Sequence, residues 1–479
     1  MVVLVARPVA YVAHTAWIDA VPVPRAQTAG FASDAGATPI AIQAQRIVPA
    51  DDAAALTLLR ASFAEARAGG IHVAFAGARH SMGGQTAARD GIVLDMSRYT
   101  GVRYDAGTDT VTVRAGTTWS QVLRALEPVG RSVAVMQSNN VFTVGGSLSV
   151  NAHGWQPLSS PIAGSVVSLR VLLADGSEHV VSREREPELF ALILGGYGLF
   201  GAVLEAELRV VPNARYRLQR IAVPVQDYVA AFEREITGRP GESGLAYGRI
   251  GVAPSVFLQQ SVLTVFRPEP GPIPPLDVER HPSRLARWIF RGQAGSDYGK
   301  ELRWSAERNF GDQLLRPTGS RNQILDEDIS GFANSGAGSI DLLQEYFVPR
   351  AALPAFVETV RGIVAGSGTD LLNITVRDVA ADTTTVLRYA DRDMFCLVLL
   401  FHVTDDPAAE ARLQRVGERL VDAALDAGGR YYLPYRLYAR PDQFERAYPQ
   451  AAQFFAAKRR YDPAGVFSNE LHRRYASAR

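Results

Sequence analysis

Hydrophobic and polar positions in the first 210 residues follow two periods, one typical of helices and one typical of strands. Apolar residues at helical spacing, ended by Gly69 and Gly70, predict a helix over residues 47–70. Short apolar or alternating runs predict strands at 72–75, 92–96 and 110–114, and a second helix at 120–126. Helices and strands are therefore interleaved from the start of this region.

The second part of this region contains a hairpin pattern. Apolar runs at 165–173 and 178–181 flank Asp175-Gly176, a pair typical of tight β-turns. A helix at 187–194 and a strand at 202–211, closed by Pro212, follow. Hairpins mixed with helices favour an α+β domain and argue against a doubly wound parallel sheet.

The remainder of the chain predicts a second unit of strands and helices. Residues 268–282 are rich in proline and are expected to form a loop. Strands are predicted at 371–376 and 395–403, and an amphipathic helix at 408–427. The length of 479 residues is enough for two or three domains.

Composition excludes several classes of protein. Fifty Lys and Arg residues against 49 Asp and Glu give a net charge of +1, which argues against a broad nucleic-acid-binding face. One cysteine, Cys396, excludes an intrachain disulfide framework and Cys-rich metal sites, and it is interpreted as buried packing. The histidines form no HExxH pattern, so no metal site is expected.

The N-terminal residues 1–42 are expected to form an arm, partly ordered on the domain surface. Residues 1–13 are apolar, but Arg7 and Pro8 interrupt them and no charged segment precedes them, unlike a signal peptide. No later stretch has the length and apolarity of a transmembrane segment. We therefore expect a cytoplasmic protein without a transmembrane segment, with secretion as the alternative.

One glycine motif is misleading. Residues 196–201 match G-x-G-x-x-G, but a predicted helix precedes the glycines and a strand follows them. A dinucleotide fingerprint needs the reverse order, because the helix N-terminus must meet the pyrophosphate. We interpret these glycines as a tight helix-to-strand turn close to a bulky group.

Two other runs of small residues surround a histidine. Residues 76–85 read AGARHSMGGQ directly after a predicted strand, so their backbone N–H groups could face a pyrophosphate. Residues 143–156 read TVGGSLSVNAHGWQ, which would let the backbone approach a large flat ligand. A surface turn and a glycine-rich loop remain the simpler alternatives for each run taken singly.

Taken together with GGYGLFGAVLEAELRVVP at 195–212, these runs resemble the FAD-binding domain of the vanillyl-alcohol oxidase/p-cresol methylhydroxylase superfamily. Their order resembles the branch of alditol oxidases, sugar-lactone oxidases and cytokinin dehydrogenases. The resemblance implies an α+β, two-domain FAD-linked oxidase, with a PCMH-type FAD-binding domain and an antiparallel-sheet substrate domain. The implied boundaries are 43–213 for the FAD domain, 214–440 for the substrate domain and 441–479 for a segment returning to the FAD domain.

The resemblance also implies the residues that hold FAD. His80 would bond covalently to the flavin, with a dissociable FAD as the alternative, and the lone Cys396 leaves no second attachment near the flavin. The remaining cofactor-binding positions would be Phe75, Ala76, Gly77, Ala78, Arg79, Ser81, Met82, Gly146, Val150, Asn151, Ala152, His153, Gly154 and Val203.

On the substrate side, Asn373, Thr375 and Arg377 share one face of a predicted strand. Arg377 matches the arginine of a Ser-Glu-Ile-Arg pattern in alditol oxidase-like enzymes, but Thr375 replaces the acid. Tyr432 and Tyr435 lie where the relatives have His-Trp-x-Lys, so polyol or aldonolactone specificity is in doubt. His402 is a candidate base on the next strand, with a structural histidine as the alternative.

The implied function is FAD-dependent oxidation of a small hydroxylated substrate, such as an alcohol, sugar, polyol or aldonolactone. A hydride would pass to the flavin, and O2 or another electron acceptor would reoxidise it. The alternatives are a dehydrogenase with a quinone or cytochrome acceptor, and a flavin-binding protein without catalysis.

Overall fold

The computed structural model describes residues 2–19, 29–276, 284–314, 317–328, 332–334 and 338–476. Parts of the predicted arm (1 and 20–28) and of the predicted proline-rich loop (277–282) therefore lie outside the described residues. The N-terminal region contains α1 Val2–Ile18, β1 Phe31–Ala32 and β2 Ile40–Ala41.

The N-terminal region does more than cover the surface. The ring of Tyr11 on α1 meets Tyr298 edge-on at 5.0 Å between centroids, which joins the helix to the second domain. Further along, Asp34 is 7% exposed, and residues 33–35 and 37 line the central cavity. The expectation of a surface arm is wrong for these residues, because the buried Asp34 carboxylate binds the loop at 81–84.

The first domain combines a small parallel sheet with an antiparallel one. In chain order its elements are β3 Ala44–Ile47, α2 Asp52–Gly69, β4 Val73–Ala76, β5 Ile92–Asp95, β6 Val102–Asp105, β7 Thr110–Arg114, α3 Trp119–Leu126, β8 Arg131–Val133, α4 Val144–Ser149, β9 Val166–Leu172, β10 Glu178–Ser182, α5 Pro187–Ile193 and β11 Ala202–Pro212. The parallel sheet has the order β3-β5-β4, and the antiparallel sheet has the order β10-β9-β11-β7-β6, with β8 on β11.

Local sequence explains most of these boundaries. The Asp51 side chain accepts a hydrogen bond from the Ala54 backbone N–H and begins α2, and Gly70 ends it with φ +63°. The predicted hairpin is confirmed as β9 and β10. The short helix α4 was not predicted, since its small residues looked like a loop; Thr143 caps it by accepting from the Gly146 N–H.

The second domain is built on a long antiparallel sheet. Its elements are β12 Arg215–Pro224, α6 Tyr228–Phe232, β13 Leu245–Ile250, β14 Gln260–Pro268, α7 Arg284–Arg291, α8 Asp297–Leu314, β15 Thr318–Ser320, α9 Arg321–Leu325, β16 Ser339–Pro349, α10 Leu353–Val364, β17 Asp370–Val379, β18 Met394–Thr404, α11 Pro407–Asp426 and β19 Arg430–Tyr431. The strand order is β15-β12-β14-β13-β17-β18-β16-β19.

The predicted strands and helix of this domain are confirmed, with longer strands than the pattern suggested. Helix α11 buries a stripe that includes Leu413, Val416 and Leu420, so it covers apolar surface as its amphipathic pattern requires. The fold is α+β with an antiparallel second domain, as expected. None of the described helices has the length and apolarity needed to cross a lipid bilayer.

The C-terminal segment contains α12 Pro441–Ala447, α13 Ala451–Tyr461 and α14 Glu470–Tyr475, and it contacts the first domain. Val73 donates its N–H to the Val466 carbonyl at 2.7 Å, and the Ser468 N–H returns to the Val73 carbonyl at 3.1 Å. The fully buried Phe467 ring lies 5.0 Å from Phe63 and 5.3 Å from Phe75. The last residues of the chain thus complete the core beside β4.

Replacing Phe467 with alanine should destabilise the protein by about 3–5 kcal/mol, because the cavity left between Phe63 and Phe75 cannot collapse. Urea unfolding measures this loss. Phe31→Ala removes a ring that is 43% exposed and is the matched control, expected to lose much less. Equal losses in the two variants would contradict the packing role of the C-terminal segment.

Candidate active site

A cavity of about 1620 Å³ lies between the two domains. It exceeds the roughly 300–1,000 Å³ of most small-molecule sites, so it has room for a large cofactor together with a second ligand. The first domain contributes the loop after β4, the segment around α4 and the start of β11. The second domain contributes one face of its sheet and residues of α7 and α8.

The loop after β4 has the geometry of an anion site. Arg79 adopts φ +57°, the left-handed conformation that turns successive backbone N–H groups towards one point. Within the described chain, the N–H groups of residues 78–81 make no backbone hydrogen bond. The Arg79 guanidinium pairs with Asp95 through Nη2 at 3.1 Å, and its other terminal nitrogen, Nη1, is buried without a partner among the described residues and can donate to a ligand. These residues fit a phosphate or pyrophosphate group.

Asp34 fixes this loop from the opposite side. Its Oδ2 accepts hydrogen bonds from the Ser81 hydroxyl at 2.9 Å and from the Gly84 N–H at 2.7 Å. Burial raises the pKa of Asp34, although these bonds and the Arg436 guanidinium oppose the rise. No sequence pattern predicts this contact, because 47 positions separate Asp34 from Ser81.

His80 lines the cavity next to the anion loop. Its ring stacks on Phe142, with 4.0 Å between centroids and 18° between planes. Burial lowers the pKa of His80 to about 4, while Asp328 acts in the opposite direction. The imidazole is therefore neutral at physiological pH, with a nitrogen lone pair available.

Most of the other predicted cofactor residues also face the cavity. Its wall includes Phe75, Ala76, Gly77, Ala78, Met82, Gly146, Val150, Ala152, His153 and Val203. Asn151 and Gly154 do not contact it. The Asn151 amide instead donates to Asp382 at 2.9 Å and ties the domains together. A side chain at Gly154 would collide with the Met136 carbonyl, so this glycine permits a close backbone crossing.

The glycines of residues 196–201 lie in the turn between α5 and β11. Gly198, with φ +73°, and Gly201 line the cavity. The helix precedes the glycines and the strand follows them, as the sequence predicted. The turn therefore brings backbone close to the ligand space without a dinucleotide-binding helix.

A buried carboxylate joins both domains at the cavity wall. Glu345 on β16 accepts from His153 Nε2 at 2.8 Å and from the Tyr435 hydroxyl. Burial alone would raise the pKa of Glu345, but His153, Arg377 and Tyr435 together lower it. Burial also lowers the pKa of His153. The arrangement is thus an ionised Glu345 that accepts a hydrogen bond from the Nε2–H of a neutral His153.

Cys396 belongs to the same cluster and is more than apolar packing. Its Sγ lies 3.4 Å from Glu345 Oε2, and burial raises the pKa of the thiol well above its usual value. His153, Glu345 and Cys396 are close enough to hold a metal ion in principle. Because Glu345 already accepts from both His153 and Tyr435, we assign the group to hydrogen bonding.

The predicted polar face of β17 lies on the opposite wall. Thr375 Oγ1 accepts from Arg249 Nη1 at 2.6 Å and from Asn373 Nδ2 at 3.1 Å. Arg303 donates to Asn373 Oδ1 at 2.9 Å. Arg377 donates to the Ser138 hydroxyl at 2.7 Å, which links β17 to the first domain. Asn373, Thr375 and Arg377 therefore meet at the cavity, as their shared strand face predicted.

His402 does not join them. Its side chain is absent from the described cavity wall, and Nδ1 lies 2.7 Å from Asp341 Oδ1. Asp341 also pairs with Arg291, so the histidine is part of a structural ion-pair group. The expectation that His402 contacts substrate is not met: it shares a strand face with Val398 and Leu400, which line the cavity, but it lies further along β18 and its ring bonds Asp341 on β16.

Several cavity residues were missed from the sequence. They are Asp34, Tyr247, Arg249, Arg303, Glu307 and Glu327. Arg249 lies on a strand, and its alternation with Tyr247 could have flagged it. Glu327 lies just beyond the short helix α9, in a segment where no periodic pattern or motif identifies a function.

In the comparison with known proteins, two different family models match the two parts of the chain that line the cavity. Residues 53–182 match the family described as "FAD binding domain", and residues 303–475 match "D-arabinono-1,4-lactone oxidase". The first match covers the anion loop and α4, and the second covers β17 and the Tyr432–Tyr435 segment.

Individual relatives agree with these families. The chain is 31% identical over 257 residues to "Cytokinin dehydrogenase 2" of Oryza sativa subsp. japonica, covering 50% of this chain but only 44% of that protein. It is 24% identical to "Decaprenylphosphoryl-beta-D-ribose oxidase" of Mycolicibacterium smegmatis, covering 87% of this chain and 92% of the relative. "Cytokinin dehydrogenase 6" of the same rice is 26% identical, with 93% and 90% covered.

Replacing Tyr435 with phenylalanine should cost about 1.5–3 kcal/mol, because a hydrogen bond to the charged Glu345 is lost. Denaturant unfolding at neutral pH measures the loss. Tyr346→Phe is the matched control: Tyr346 is as fully enclosed, but its hydroxyl has no partner in the described chain, so its removal should be close to neutral. Equal effects would refute the proposed support of the buried carboxylate.

Proposed function

Because this chain belongs to the p-cresol methylhydroxylase-type superfamily of FAD-linked oxidoreductases, we propose that it oxidises a small hydroxylated substrate in the cavity between its domains. One observation carries the proposal. The loops of the FAD-binding half and the polar face of β17 line the same cavity from opposite sides. A substrate held on that face would lie against a cofactor held by the loops.

The first-domain residues fit FAD. The N–H groups of residues 78–81 and the guanidinium of Arg79 suit its pyrophosphate, and the glycines at 145, 146, 198 and 201 leave space for a flat ring system. The neutral His80 is the side chain that we propose for covalent attachment. Bound FAD would supply a hydride acceptor, which the protein side chains do not provide.

The second-domain residues orient the substrate. Asn373 and Thr375 present hydrogen-bonding groups that Arg249 and Arg303 hold in place. The Arg377 guanidinium faces the cavity and can stabilise negative charge that develops on the substrate oxygen. Fixed positions are important, because such charge stabilisation depends on groups that need not reorganise during the reaction.

The substrate that fits this cavity carries an apolar group as well as a hydroxyl. Beyond the polar face, the wall includes Ile289 and Phe290 of α7 and Ile340 and Leu343 of β16. An unsubstituted polyol would leave this surface without a partner, whereas an alkyl or ring substituent would bury it. This agrees with the family pattern: Thr375 stands where an acid is expected in enzymes that act on polyols.

The electron acceptor distinguishes the two enzymatic candidates. Relatives named as oxidases and relatives named as dehydrogenases both match the chain. We favour reoxidation by O2, which yields hydrogen peroxide, over a quinone or cytochrome acceptor.

Covalent attachment of the cofactor can be tested by acid precipitation. Acid-precipitated protein should retain its yellow colour, and His80→Ala should release FAD into the supernatant because the linking nitrogen is gone. His179→Ala, at a histidine on β10 outside the described cavity wall, should leave the colour in the pellet. A colourless wild-type pellet with FAD in the supernatant would exclude covalent attachment and leave FAD binding intact.

The preference for a substrate with an apolar group can be tested by flavin reduction. Two substrates are compared under anaerobic conditions at the same subsaturating concentration: an alcohol with an alkyl or aryl substituent, and the matching unsubstituted polyol. The substituted alcohol should bleach the flavin at least about tenfold faster, because each buried CH₂ contributes about 0.8 kcal/mol. Admitting air should restore the colour and release peroxide. Recolouring only with a quinone would favour the dehydrogenase, and no bleaching by any hydroxylated compound would favour a non-catalytic flavoprotein.

A further inference from the structure

Glu327 occupies a defined position on the cavity wall. It follows helix α9, and its backbone carbonyl accepts from the Asn140 N–H at 3.2 Å. The adjacent Asp326 accepts from the Asn140 side chain at 2.6 Å. These bonds join the segment to the first-domain loop that carries Ser138, the partner of Arg377. Glu327 is therefore held where the two halves of the cavity meet.

The carboxyl of Glu327 is not committed to another group in the part of the chain described. Other acids on the wall are engaged: Asp34 with the anion loop, Asp326 with Asn140, Asp341 with His402 and Glu345 with His153. Glu307 lies 3.8 Å from Arg249. Glu327 forms no ion pair or side-chain hydrogen bond with described residues, so its oxygens are available to a ligand.

The electrostatic surroundings suit a group that exchanges a proton. Burial raises the pKa of Glu327 to about 7, while the positive charges of Arg249 and Arg377 limit the rise. Such a carboxyl holds a proton below pH 7 and loses it above. The charged and titratable groups around it are Arg249 and Tyr247 on β13, Arg377 on β17, Glu307 on α8, and the neighbouring Asp326 and Asp328.

Among the described residues, the polar face of β17 carries no carboxyl group that could exchange a proton with the substrate. Thr375 stands where an acid is expected from the family pattern, and its hydroxyl oxygen already accepts from Arg249 and Asn373. A neutral hydroxyl in that position is a poor proton acceptor near neutral pH. The acid-base group must therefore come from another element. Glu327 lines the cavity, and its carboxyl has no partner among the described residues.

We propose that Glu327 is the catalytic base that accepts the proton of the substrate hydroxyl. This inference rests on the proposed function. The substrate C–H bond breaks and its electron pair leaves as hydride to oxidised FAD, while the O–H bond breaks and its proton moves to the Glu327 carboxylate. The C–O bond becomes a carbonyl. The substrate loses two electrons, which bound FAD would accept as the hydride, and Glu327 later releases its proton to water.

Glu327→Gln in the FAD-loaded protein tests this role, because glutamine keeps the shape and loses the proton acceptor. Wild-type anaerobic flavin reduction should accelerate as the pH rises through about 7 and then level off. The variant should reduce its flavin about 10²-fold more slowly or worse, without that inflection. Glu307→Gln, which removes a paired cavity carboxylate, should retain the inflection.

A second measurement does not depend on turnover. Infrared difference spectra of the resting protein between pH 6 and 8 should show a carboxyl C=O band that disappears as the pH rises. The band should be present in wild type and Glu307→Gln and absent in Glu327→Gln. Persistence of the band in Glu327→Gln, or fast reduction with an unchanged inflection, would overturn the assignment to Glu327. Failure of wild type to be reduced by any hydroxylated compound would instead reject the proposed function.

Discussion

The buried carboxylate of Glu345 is the interaction on which the arrangement of the cavity depends. An ionised carboxylate removed from water costs several kcal/mol unless hydrogen bonds and charges compensate it. The compensation here comes from three separate parts of the chain: His153 of the first domain, Tyr435 near the C-terminus and Arg377 on β17. Displacement of any of them would leave the charge unsatisfied, so the two domains have one favourable relative position.

A second fixed arrangement, around Asp34, accounts for how a nearly neutral protein could hold the anionic cofactor that we propose. The backbone N–H groups of the loop at 78–81 face the ligand space, with Arg79 beside them. The loop keeps this conformation because Asp34 accepts hydrogen bonds from Ser81 and Gly84. Phosphate recognition is thus a matter of fixed dipoles, which add nothing to the net charge of +1.

Local sequence pattern predicted several of the elements, but not which residues they contact in the fold. The hairpin of β9 and β10 and the amphipathic helix α11 follow from periodicity and turn residues, and the shared face of Asn373, Thr375 and Arg377 follows from strand geometry. Asp34 and Arg249 escaped notice because their partners lie 47 and 126 positions away. His402 illustrates the converse error: its strand was predicted, but how far the cavity extends along that strand, and the bond of the ring to Asp341 on β16, were not.

Thr375 stands where the family resemblance leads one to expect an acid, and the hydrogen bonds around it accommodate a neutral hydroxyl. Arg249 donates to the Thr375 hydroxyl, and the carboxylate of Glu307 lies 3.8 Å from the Arg249 guanidinium. The positive charge of Arg249 is therefore compensated by Glu307 and does not need an acid at position 375. The polar face keeps its hydrogen bonds and can still orient a hydroxyl group. The strand presents no carboxylate at this position, and under our proposal the loop that carries Glu327 supplies the proton acceptor instead. Our proposal thus assigns substrate orientation to a strand of the sheet and proton transfer to a loop, so a substitution in one element need not disturb the other.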